Sequence, residues 1–580
     1  MDTIGTKICV FSFFCIMTVF FLSGPLFAKE KSIHINQVGY RPGDTKFITG
    51  IKEATYFTIY RRADKKWMYS NQMKGPVKDS ESGDSCWIGD FSEFDKPGKY
   101  YIDIDRAGIS RTFEIKEDIY SDVFRKVMHG YYLWRCGQKI SGDDGFGHDA
   151  CHTEKAEIHP SVGKDDGRLI DAAGGWHDAG DYGKYTVNNA VSTGTLLLMF
   201  KKYKQRLENT GTGIPGNQKD KKLPDVLNEL KYSLDWMMKM QRNDGAVYHK
   251  TTPLTFPDMD LMPEDDNSSF FVIGLSSAGT ADFAAAMALA HGVFREYDKE
   301  YAEKCLEHAE KAWKWLKKNP GTVPEGGYKN PGDVKTGQYG DGDDSDERLW
   351  AAAELFAAAG RDEYREYFEE KYKNFNPVFD RAVSWQQVKE FAVMAYIESG
   401  RESRSKQVVE ELKNEVLEHG KDLLARISED GYRNVMREDD YVWGSNSISL
   451  NYAINLLRMY DLTFDEKYKN SARESLDYVM GKNPLGICYI TGVGDYSVKN
   501  IHHRPSAGDK RPEPWPGYLA GGPNKNKQDK ILKTLPFGTP PAKCFVDHVD
   551  SYASNEVAIN WNAPLAYVLA AFLPDNAELD

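Results

Sequence analysis

The stretch GGWHDAGDYGKY, residues 174–185, is the most informative part of the chain. It places Asp178 and Asp181 three residues apart, among glycines and aromatic residues. Small residues let a ligand approach the backbone, and aromatic rings offer apolar faces on which a sugar stacks. Two carboxylates in such a turn are suited to holding a water molecule against a sugar. The alternative is that Asp181 caps a helix that begins near Val187.

A third carboxyl group stands in the stretch FVDHVDSYASNEVAINWNA, residues 545–563, where Glu556 follows several polar residues. Hydrolysis of a glycosidic bond requires two carboxyl groups, one to protonate the leaving oxygen and one to activate water or attack. Glu556 is a candidate for one of these roles. The alternative is that it stabilises the first turn of a helix through the helix dipole.

Together, the two stretches resemble the signature regions of the family 9 glycoside hydrolases, the inverting cellulases, over residues 120–572. The resemblance implies that Asp181 is the general base, that Asp178 assists it and that Glu556 is the general acid. In an inverting enzyme we expect the two carboxyl groups to lie about 6.5–9.5 Å apart. The positions that fit the acid-bearing motif are Phe545, Asp547, Tyr552, Glu556, Ala558, Asn562 and Ala563.

The stretch YITGVGDYSVKNIHHRPS, residues 489–506, resembles a further signature of the same family. It implies that His502 and Arg504 bind substrate, because imidazole and guanidinium groups donate hydrogen bonds to sugar hydroxyls. The sequence departs from the family pattern at Tyr496, where Asn, Lys or Arg is expected. Without the resemblance, residues 502–504 are also typical of a basic surface turn.

Four aromatic or imidazole side chains are candidates for lining a substrate cleft. Trp443, Tyr248 and His249 resemble cleft positions of the family, and Trp176 lies beside the paired aspartates. The alternative for these residues is an ordinary place in the hydrophobic core.

A separate group of residues has the composition of a metal site. Cys136, Cys151, His152 and His177 supply two thiolates and two imidazoles, which complete a closed tetrahedral set and therefore predict a structural zinc ion. Members of the resembling family that carry an immunoglobulin-like module have zinc at this place. The alternative is a disulfide between Cys136 and Cys151, with free histidines.

The stretch YGDGDDSDERLW, residues 339–350, concentrates acidic residues among glycines. Oxygen ligands on a flexible loop suit calcium, and the resembling family has calcium near this segment. The alternative is a solvated loop that caps a helix beginning at Ser345. No organic cofactor is expected. The calcium ligands that we predict are Asp341, Asp343, Asp346 and, at a further site, Asp282.

The chain divides into three parts that differ in their sequence pattern. Residues 1–28 are typical of a signal peptide, residues 29–117 of an all-β sandwich, and residues 118–580 of an all-α domain. The second part alternates short β-rich runs with turns, and its ends resemble the immunoglobulin-like module of the family. We predict a structural role for it, with carbohydrate binding as the alternative. The third part contains twelve amphipathic stretches, consistent with an (α/α)6 barrel.

Charge and the N-terminal segment constrain partners and location. The net charge of −13 over 580 residues argues against nucleic acid and anionic membranes as partners, but not against a neutral polysaccharide. Lys7, an apolar run at residues 8–22 and Ala28 predict a cleaved secretory signal, and hence an extracellular or periplasmic protein. A retained membrane anchor is the alternative.

The interpretation that joins these observations is a secreted, monomeric endo-β-1,4-glucanase that acts on cellulose and related β-glucans. An exo-acting member of the same family is the first alternative, for example a cellodextrinase, cellobiohydrolase or exo-glucosaminidase. A catalytically silent glucan-binding protein is the alternative from a different class, and the presence of Asp178, Asp181 and Glu556 argues against it.

Overall fold

A computed structural model of the chain describes residues 32–142, 145–163 and 167–575. The predicted signal peptide at residues 1–28 lies outside the described residues. The last strand of the N-terminal part ends at Ile115, and the first helix begins at Ser121. The domain boundary that we predict at residues 117–118 lies between these two elements and stays a prediction.

The N-terminal part is a β-sandwich with its own core, as predicted. Strand β7 shows why these residues form strands, because Tyr100, Ile102 and Ile104 alternate inward while the residues between them face outward. The nine strands pair in the order β1-β3-β6-β5-β4-β7-β9-β2, with β8 beside β7. The strands are β1 (Ile33–His34), β2 (Gly39–Tyr40), β3 (Phe47–Gly50), β4 (Tyr56–Arg61), β5 (Trp67–Lys78), β6 (Ser85–Asp90), β7 (Gly98–Ile104), β8 (Gly108–Ile109) and β9 (Phe113–Ile115).

Strand β5 was not expected from the sequence. Its 12 residues are mostly polar and exposed, so they lack the alternation that marks a half-buried strand. It pairs with β4 through one part of its length and with β6 through the other, with a register shift between Lys74 and Val77. Backbone pairing on both sides holds this strand where side-chain burial does not.

The larger part of the chain is the helical barrel that the sequence predicted. Its α-helices within the described residues are α1 (Ser121–Leu133), α2 (Thr186–Lys202), α3 (Lys204–Leu207), α4 (Asp225–Lys239), α5 (Ser277–Phe294), α6 (Lys299–Lys318), α7 (Ser345–Ala359), α8 (Asp362–Lys371), α9 (Lys389–Glu398), α10 (Lys406–Glu429), α11 (Ser445–Thr463), α12 (Glu466–Val479), α13 (Arg504–Gly508), α14 (Tyr552–Asn555) and α15 (Ile559–Ala570).

Two rings of helices are distinguished by burial. Helices α2, α5, α7, α9, α11 and α15 are buried on nearly all sides and form the inner ring. Helix α5, SAGTADFAAAMALAHGVF, is rich in alanine, which lets neighbouring helices approach closely. Helix α6 of the outer ring is amphipathic, and its N-cap Asp298 accepts a hydrogen bond from the Tyr301 backbone N–H. Inner neighbours pack in the order α11-α15-α2-α5-α7-α9, and α10 packs against both α9 and α11.

A small five-stranded sheet at one end of the barrel was not predicted. Its order is β13-β12-β16-β15-β14, and each strand has only two to five residues. Strand β14 follows Asp181 by three residues, so this sheet positions the catalytic stretch. The remaining strands are β10 (Ile140–Ser141), β11 (Gly147–His148), β12 (Ala156–Ile158), β13 (Leu169–Ile170), β14 (Lys184–Tyr185), β15 (Tyr248–Thr252) and β16 (Phe271–Leu275).

The sandwich and the barrel share a polar interface. Asn36 donates a hydrogen bond to Asp477 on α12 at 2.9 Å. The same carboxylate forms a salt bridge with Arg473 at 2.9 Å. The Gln37 backbone N–H donates to the Met480 carbonyl at 2.9 Å, and the Thr49 hydroxyl donates to the Gly431 carbonyl at 3.0 Å. Because these groups are buried, each lost partner would leave an unsatisfied polar atom.

Candidate active site and metal centre

Asp178 lies in the loop that precedes β14 and is fully enclosed by protein. The Asn188 side-chain amide donates to its Oδ1 at 2.6 Å, and the Tyr339 hydroxyl donates to its Oδ2 at 2.7 Å. The Ile559 backbone N–H donates to the Asp178 carbonyl at 2.9 Å, which joins this loop to the start of α15. The carboxylate is therefore fixed by α2, by the segment before α7 and by the segment that carries Glu556.

Asp181 does not cap a helix, because α2 begins only at Thr186 and its N-cap is Tyr185. The Gly183 backbone N–H donates to Asp181 Oδ2 at 2.9 Å, and the Tyr185 hydroxyl donates to the same oxygen at 3.3 Å. Both of these contacts use one carboxylate oxygen. The capping alternative is thus excluded by the position of the helix.

Glu556 lies in the break between α14 and α15, in an extended backbone conformation. Helix α15 begins only at Ile559, so the alternative that Glu556 stabilises the first turn of a helix is wrong. The break arises because the backbone of Glu556 pairs with His502 on one side, while the Gly521 N–H donates to its carbonyl at 2.8 Å on the other. The Gly180 N–H is directed at the Glu556 carboxyl group.

Gly180 brings the carboxyl groups together. A Cβ atom at this position would lie 2.1 Å from the His502 carbonyl oxygen, which is far inside van der Waals contact. Both the backbone N–H and the guanidinium of Arg504 donate to the Gly180 carbonyl, at 3.1 and 2.8 Å. Because Gly180 has no side chain, the loop that carries Asp178 and Asp181 can lie directly against the segment of His502.

Burial is the main cause of the raised pKa values of the three carboxyl groups. It raises the pKa of Glu556 well above its ordinary value, and the negative charges of Asp181 and Asp178 raise it further. Burial also raises the pKa values of Asp178 and Asp181, with Arg504 acting in the opposite direction on Asp181. A buried acid surrounded by other acids keeps its proton, whereas one close to a cation loses it more readily.

His502 and Arg504 lie at this site, as the sequence suggested. The Nδ1–H of His502 donates to the Val549 carbonyl at 2.6 Å, and burial lowers the pKa of the imidazole to about 4. The ring is therefore neutral near pH 7, with Nε2 as an acceptor, because a carbonyl can only accept the Nδ1 proton. The expectation that His502 donates to a sugar is corrected in this respect. Arg504 Nε donates to the Pro257 carbonyl at 3.1 Å.

An exposed aromatic pair lies beside His502. Trp443 is 40% exposed, and its ring contacts that of Tyr552 at a centroid distance of 5.4 Å. Tyr552 in turn packs edge-on against His502 at 6.0 Å. Exposed rings next to polar groups are what a sugar-binding surface requires, and this placement argues against a core role for Trp443.

Trp176, Tyr248 and His249 are buried instead. The Trp176 ring is fully buried and its N–H donates to Glu229 at 2.8 Å, so it offers no face to a sugar, and that expectation is corrected. Both ring nitrogens of His249 have protein partners, Ser276 Oγ and the Gln338 carbonyl, each at 2.8 Å. The buried positions of Tyr248 and His249 on β15 favour the alternative that they belong to the core.

Three contacts to the aspartates were not foreseen, those of Asn188, Tyr185 and Tyr339. Tyr339 is 161 residues from Asp178 along the chain, so only the fold brings its hydroxyl to the carboxylate. It also has a positive φ of 45°, which is strained for a residue with a side chain. Tyr185 ends the quoted GGWHDAGDYGKY stretch. Its place close to Asp181 in the sequence was the one signal from which its contact with that carboxylate could have been predicted.

The four predicted zinc ligands converge on one point. Their ligand atoms all lie within 4.8 Å of one another, with His177 Nε2 3.4 Å from His152 Nδ1 and 3.8 Å from Cys151 Sγ. Tetrahedral bonds of about 2.0–2.3 Å require ligand atoms to be about 3.3–3.8 Å apart, so the donor set fits zinc. Within residues 32–142, 145–163 and 167–575, this is the one such group of His, Cys, Asp or Glu side chains.

The cysteines of this cluster are free thiols, as are the other cysteines among the described residues. The alternative of a disulfide between Cys136 and Cys151 is therefore not what the structure has. The Cys136 N–H donates to the Gly175 carbonyl and the His177 N–H to the Trp134 carbonyl, each at 2.8 Å. The cluster consequently joins the end of α1 to the loop of Asp178.

The acidic residues at the start of α7, together with Asp282 on α5, divide into an exposed and a buried set. Asp343 is exposed and accepts a hydrogen bond from the Ser345 N–H at 3.0 Å, as the helix-capping alternative expects. Asp282 and Glu347 are fully buried, and their carboxylate oxygens have no hydrogen-bond partner among the described residues. Burial raises the pKa of both carboxyl groups well above the ordinary values, and Asp346 and Asp341 raise them further. Such oxygens require a proton or a cation.

Comparison with known proteins places this site in a family. The model of "Glycosyl hydrolase family 9" matches residues 120–569, and that of "Cellulase N-terminal ig-like domain" matches residues 28–108. The chain belongs to glycosyl hydrolase family 9. It is therefore a glycoside hydrolase, with the inverting mechanism of that family, and its two structural parts correspond to the two matched models.

Relatives of this family 9 chain align over almost all of its length. It is similar to Endoglucanase D of Acetivibrio thermocellus, with 34% identity over 94% of this chain and 84% of that protein. It is also similar to Cellodextrinase of Butyrivibrio fibrisolvens, with 34% identity over 94% of this chain and 100% of that protein. Among solved structures, a Zn-binding triple mutant of the family 9 endoglucanase J30 aligns with a TM-score of 0.88 and 31% identity, over 92% of this chain and 100% of that one.

The expectation of a bound metal is met only at a coarser level. The cluster of Cys136, Cys151, His152 and His177 is a possible metal site, without the metal being identified. Among the described residues, no helix is both long enough and apolar enough to span a membrane.

Proposed function

We propose that this chain is a secreted endo-β-1,4-glucanase that cleaves internal bonds of cellulose and related β-glucans and acts as a monomer. The observation that carries the proposal is the group of buried Asp178 and Asp181 and half-buried Glu556 around Gly180, beside the exposed rings of Trp443 and Tyr552. Secretion is supported by the N-terminal sequence, with Lys7, the apolar run at residues 8–22 and Ala28.

In this proposal Glu556 is the general acid. Its raised pKa favours the protonated carboxyl group, which can give its proton to the leaving oxygen. After that transfer, the Gly180 N–H, which is directed at the carboxyl group, stabilises the carboxylate. The inverting course follows from water attack on the opposite face of the sugar.

Asp181 is the general base, with Asp178 as its helper. The known contacts of Asp181 use Oδ2, so we assign Oδ1 to the attacking water. After burial, Arg504 is the largest influence on the pKa of Asp181, whereas on Glu556 the charges of Asp181 and Asp178 exceed that of Arg504; this favours the ionised form of Asp181 that a base requires. Asn188 and Tyr339 hold Asp178 so that it orients the second proton of the water.

His502 and the exposed aromatic pair bind the sugar. The Nε2 atom of neutral His502 accepts a hydrogen bond from a sugar hydroxyl, and Trp443 stacks on an adjacent ring. These roles are consistent with the half-buried position of His502 and the exposure of Trp443.

Two metal sites accompany the catalytic group. Cys136, Cys151, His152 and His177 would hold one zinc ion, whose closed set of four ligands gives it a structural role. Asp282 and Glu347 would contribute to a calcium site, since their buried oxygens otherwise lack partners. Asp282 was expected at a calcium site separate from that of Asp341, Asp343 and Asp346, and Glu347 was not among the ligands expected from the sequence.

A time course on carboxymethyl cellulose tests endo action. The viscosity and the concentration of reducing ends are measured in the same samples. An endo enzyme lowers the viscosity rapidly while few reducing ends have formed. A slow loss of viscosity with steady release of small sugars would favour the exo-acting alternative, and binding without either change would indicate a silent binding protein.

A further inference from the structure

The zinc-ligand candidate His152 contacts a carboxylate on the side away from the cluster. Its Nδ1 faces the cluster, 3.7 Å from Cys136 Sγ and 3.4 Å from His177 Nε2. Its Nε2 lies 3.3 Å from Asp266 Oδ2, and both side chains are buried. When Nδ1 binds a metal, the ring proton is on Nε2, and a carboxylate is the acceptor that orients such a ring.

The backbone of His152 needs this support. Its φ is +48°, in the left-handed region that a residue with a side chain rarely adopts because of steric strain. The imidazole packs against Phe270 at a centroid distance of 4.3 Å, and against Tyr182 at 5.5 Å. The ring is thus positioned by Asp266 and by two aromatic neighbours. Phe270 comes from the segment between β15 and β16, and Tyr182 comes from the loop that carries Asp178 and Asp181.

Asp266 belongs to the segment between β15 and β16, residues 253–270, which we name the 253–270 loop. Its Oδ1 accepts a hydrogen bond from the Ser268 N–H at 3.0 Å, so the same carboxylate also shapes its own turn. The loop reaches the catalytic loop at a second point, where the Tyr182 hydroxyl donates to the Leu261 carbonyl at 2.6 Å.

The other end of the 253–270 loop holds Arg504. The Arg504 Nε donates to the Pro257 carbonyl at 3.1 Å, and its guanidinium lies over the Phe256 ring at 5.3 Å. The same guanidinium donates to Gly180, between the two aspartates. One loop therefore contacts a zinc-ligand candidate at one end and a substrate-binding candidate at the other.

We propose that Asp266 is a positioning residue that links the zinc site to Arg504 through the 253–270 loop. This inference rests on the zinc site proposed above. Zinc anchors the Asp178 loop through His177, and it anchors the 253–270 loop through His152 and Asp266. A cavity of about 440 Å³ borders Cys151, His152 and Asp266.

The test compares Asp266→Asn with Asp265→Asn in the full-length protein. Asp265 is the adjacent exposed residue and serves as the matched control. We expect Asp266→Asn to raise the dissociation constant for zinc about 10–100-fold, measured by competition with a chromogenic chelator. The absorption spectrum of the Co²⁺-substituted protein should change in Asp266→Asn and not in the control. The KM for cellotetraose should rise several-fold with a smaller change in kcat.

Hydrogen exchange provides a readout that does not require a stable variant. Removal of zinc from the wild-type protein should increase amide exchange in both residues 174–185 and residues 253–270. Exchange confined to residues 174–185, or an unchanged zinc affinity and Co²⁺ spectrum in Asp266→Asn, would overturn the role of Asp266. A wild-type protein that binds no zinc would instead overturn the zinc site itself, together with this inference.

Discussion

Glu556 and Asp181 differ in what surrounds them, and this difference separates their roles. Asp181 has Arg504 as a counter-charge, whereas Glu556 lies among other acids and receives only partial relief from Arg504 and the Gly180 N–H. At the scale of single residues, these neighbours favour the protonated form in Glu556 and the ionised form in Asp181.

Substitution of the two residues should therefore have different consequences. Glu556→Gln and Asp181→Asn should each lower activity on cellulose about 100-fold or more. A dinitrophenyl cellobioside should restore activity to Glu556→Gln alone, because its leaving group needs no proton. Steady-state assays on both substrates check this, with exposed Glu325→Gln as the control. A first product of β configuration in NMR would contradict the assignment of both roles.

Tyr339→Phe tests the contact to Asp178. The Tyr339 hydroxyl lowers the pKa of Asp178, although burial keeps that pKa raised overall. Loss of the hydroxyl should raise the pKa further, so Asp178 ionises only at higher pH. We expect the acidic limb of the kcat/KM profile to move upward by about one pH unit, since a hydrogen bond to a charged group contributes about 1.5–3 kcal/mol. An unchanged limb, as expected for exposed Tyr56→Phe, would show that Tyr339 does not act on the pKa of Asp178.

At the scale of elements, the catalytic loop and the His502 segment meet at Gly180. Gly180→Ala should lower kcat about 100-fold while the far-ultraviolet circular dichroism stays unchanged, because a Cβ would lie 2.1 Å from the His502 carbonyl and push the two segments apart. Gly216→Ala is the matched control, since a Cβ there has open space. Full activity in Gly180→Ala would mean that the segments can separate without harm.

The proposed zinc joins α1 to the catalytic loop. Elemental analysis should find about one zinc per chain, and Cys151→Ser should lower both the zinc content and the melting temperature. Activity should fall as the aspartates lose their position, with the pH optimum little changed. Cys305→Ser, at a buried cysteine outside the cluster, should keep the metal. A metal-free wild-type protein with full activity would refute this prediction.

The sequence was informative where chemistry is local and silent where it is not. The spacing of Asp178, Asp181 and Glu556 and the set of Cys and His residues are visible in short motifs. The burial of Trp176 is not, because its partner Glu229 comes from α4. Strand β5 has no burial pattern to detect, and the break before α15 is caused by backbone pairing with His502.

The whole molecule contains buried acids far from the active site, and these connect its stability to pH. Burial raises the pKa of Glu354 on α7 to about 7, and Trp350 donates to it at 3.2 Å. A carboxyl group whose pKa is raised on folding stabilises the protein fully below its unfolded pKa, near 4.3, and loses that contribution as the pH rises through 7.

Glu354→Gln should therefore make the free energy of unfolding less dependent on pH. Between pH 5 and pH 8 the wild-type protein should lose about 2 kcal/mol more than the variant, because the group must ionise inside the barrel. Urea titrations at the two pH values measure this difference. Equal losses would show that Glu354 ionises without cost, and exposed Glu429→Gln provides the reference behaviour.

The free thiols of Cys136 and Cys151 have a consequence for how the chain matures. The two thiols can either bind a metal ion or be oxidised to a disulfide, and either reaction prevents the other. In an oxidising compartment, the order in which zinc and oxidant arrive would then determine which form accumulates. Chains that meet the oxidant first would become a disulfide-bonded by-product, with His152 and His177 left without a common metal ion, and a shortage of zinc during folding would reduce yield rather than turnover.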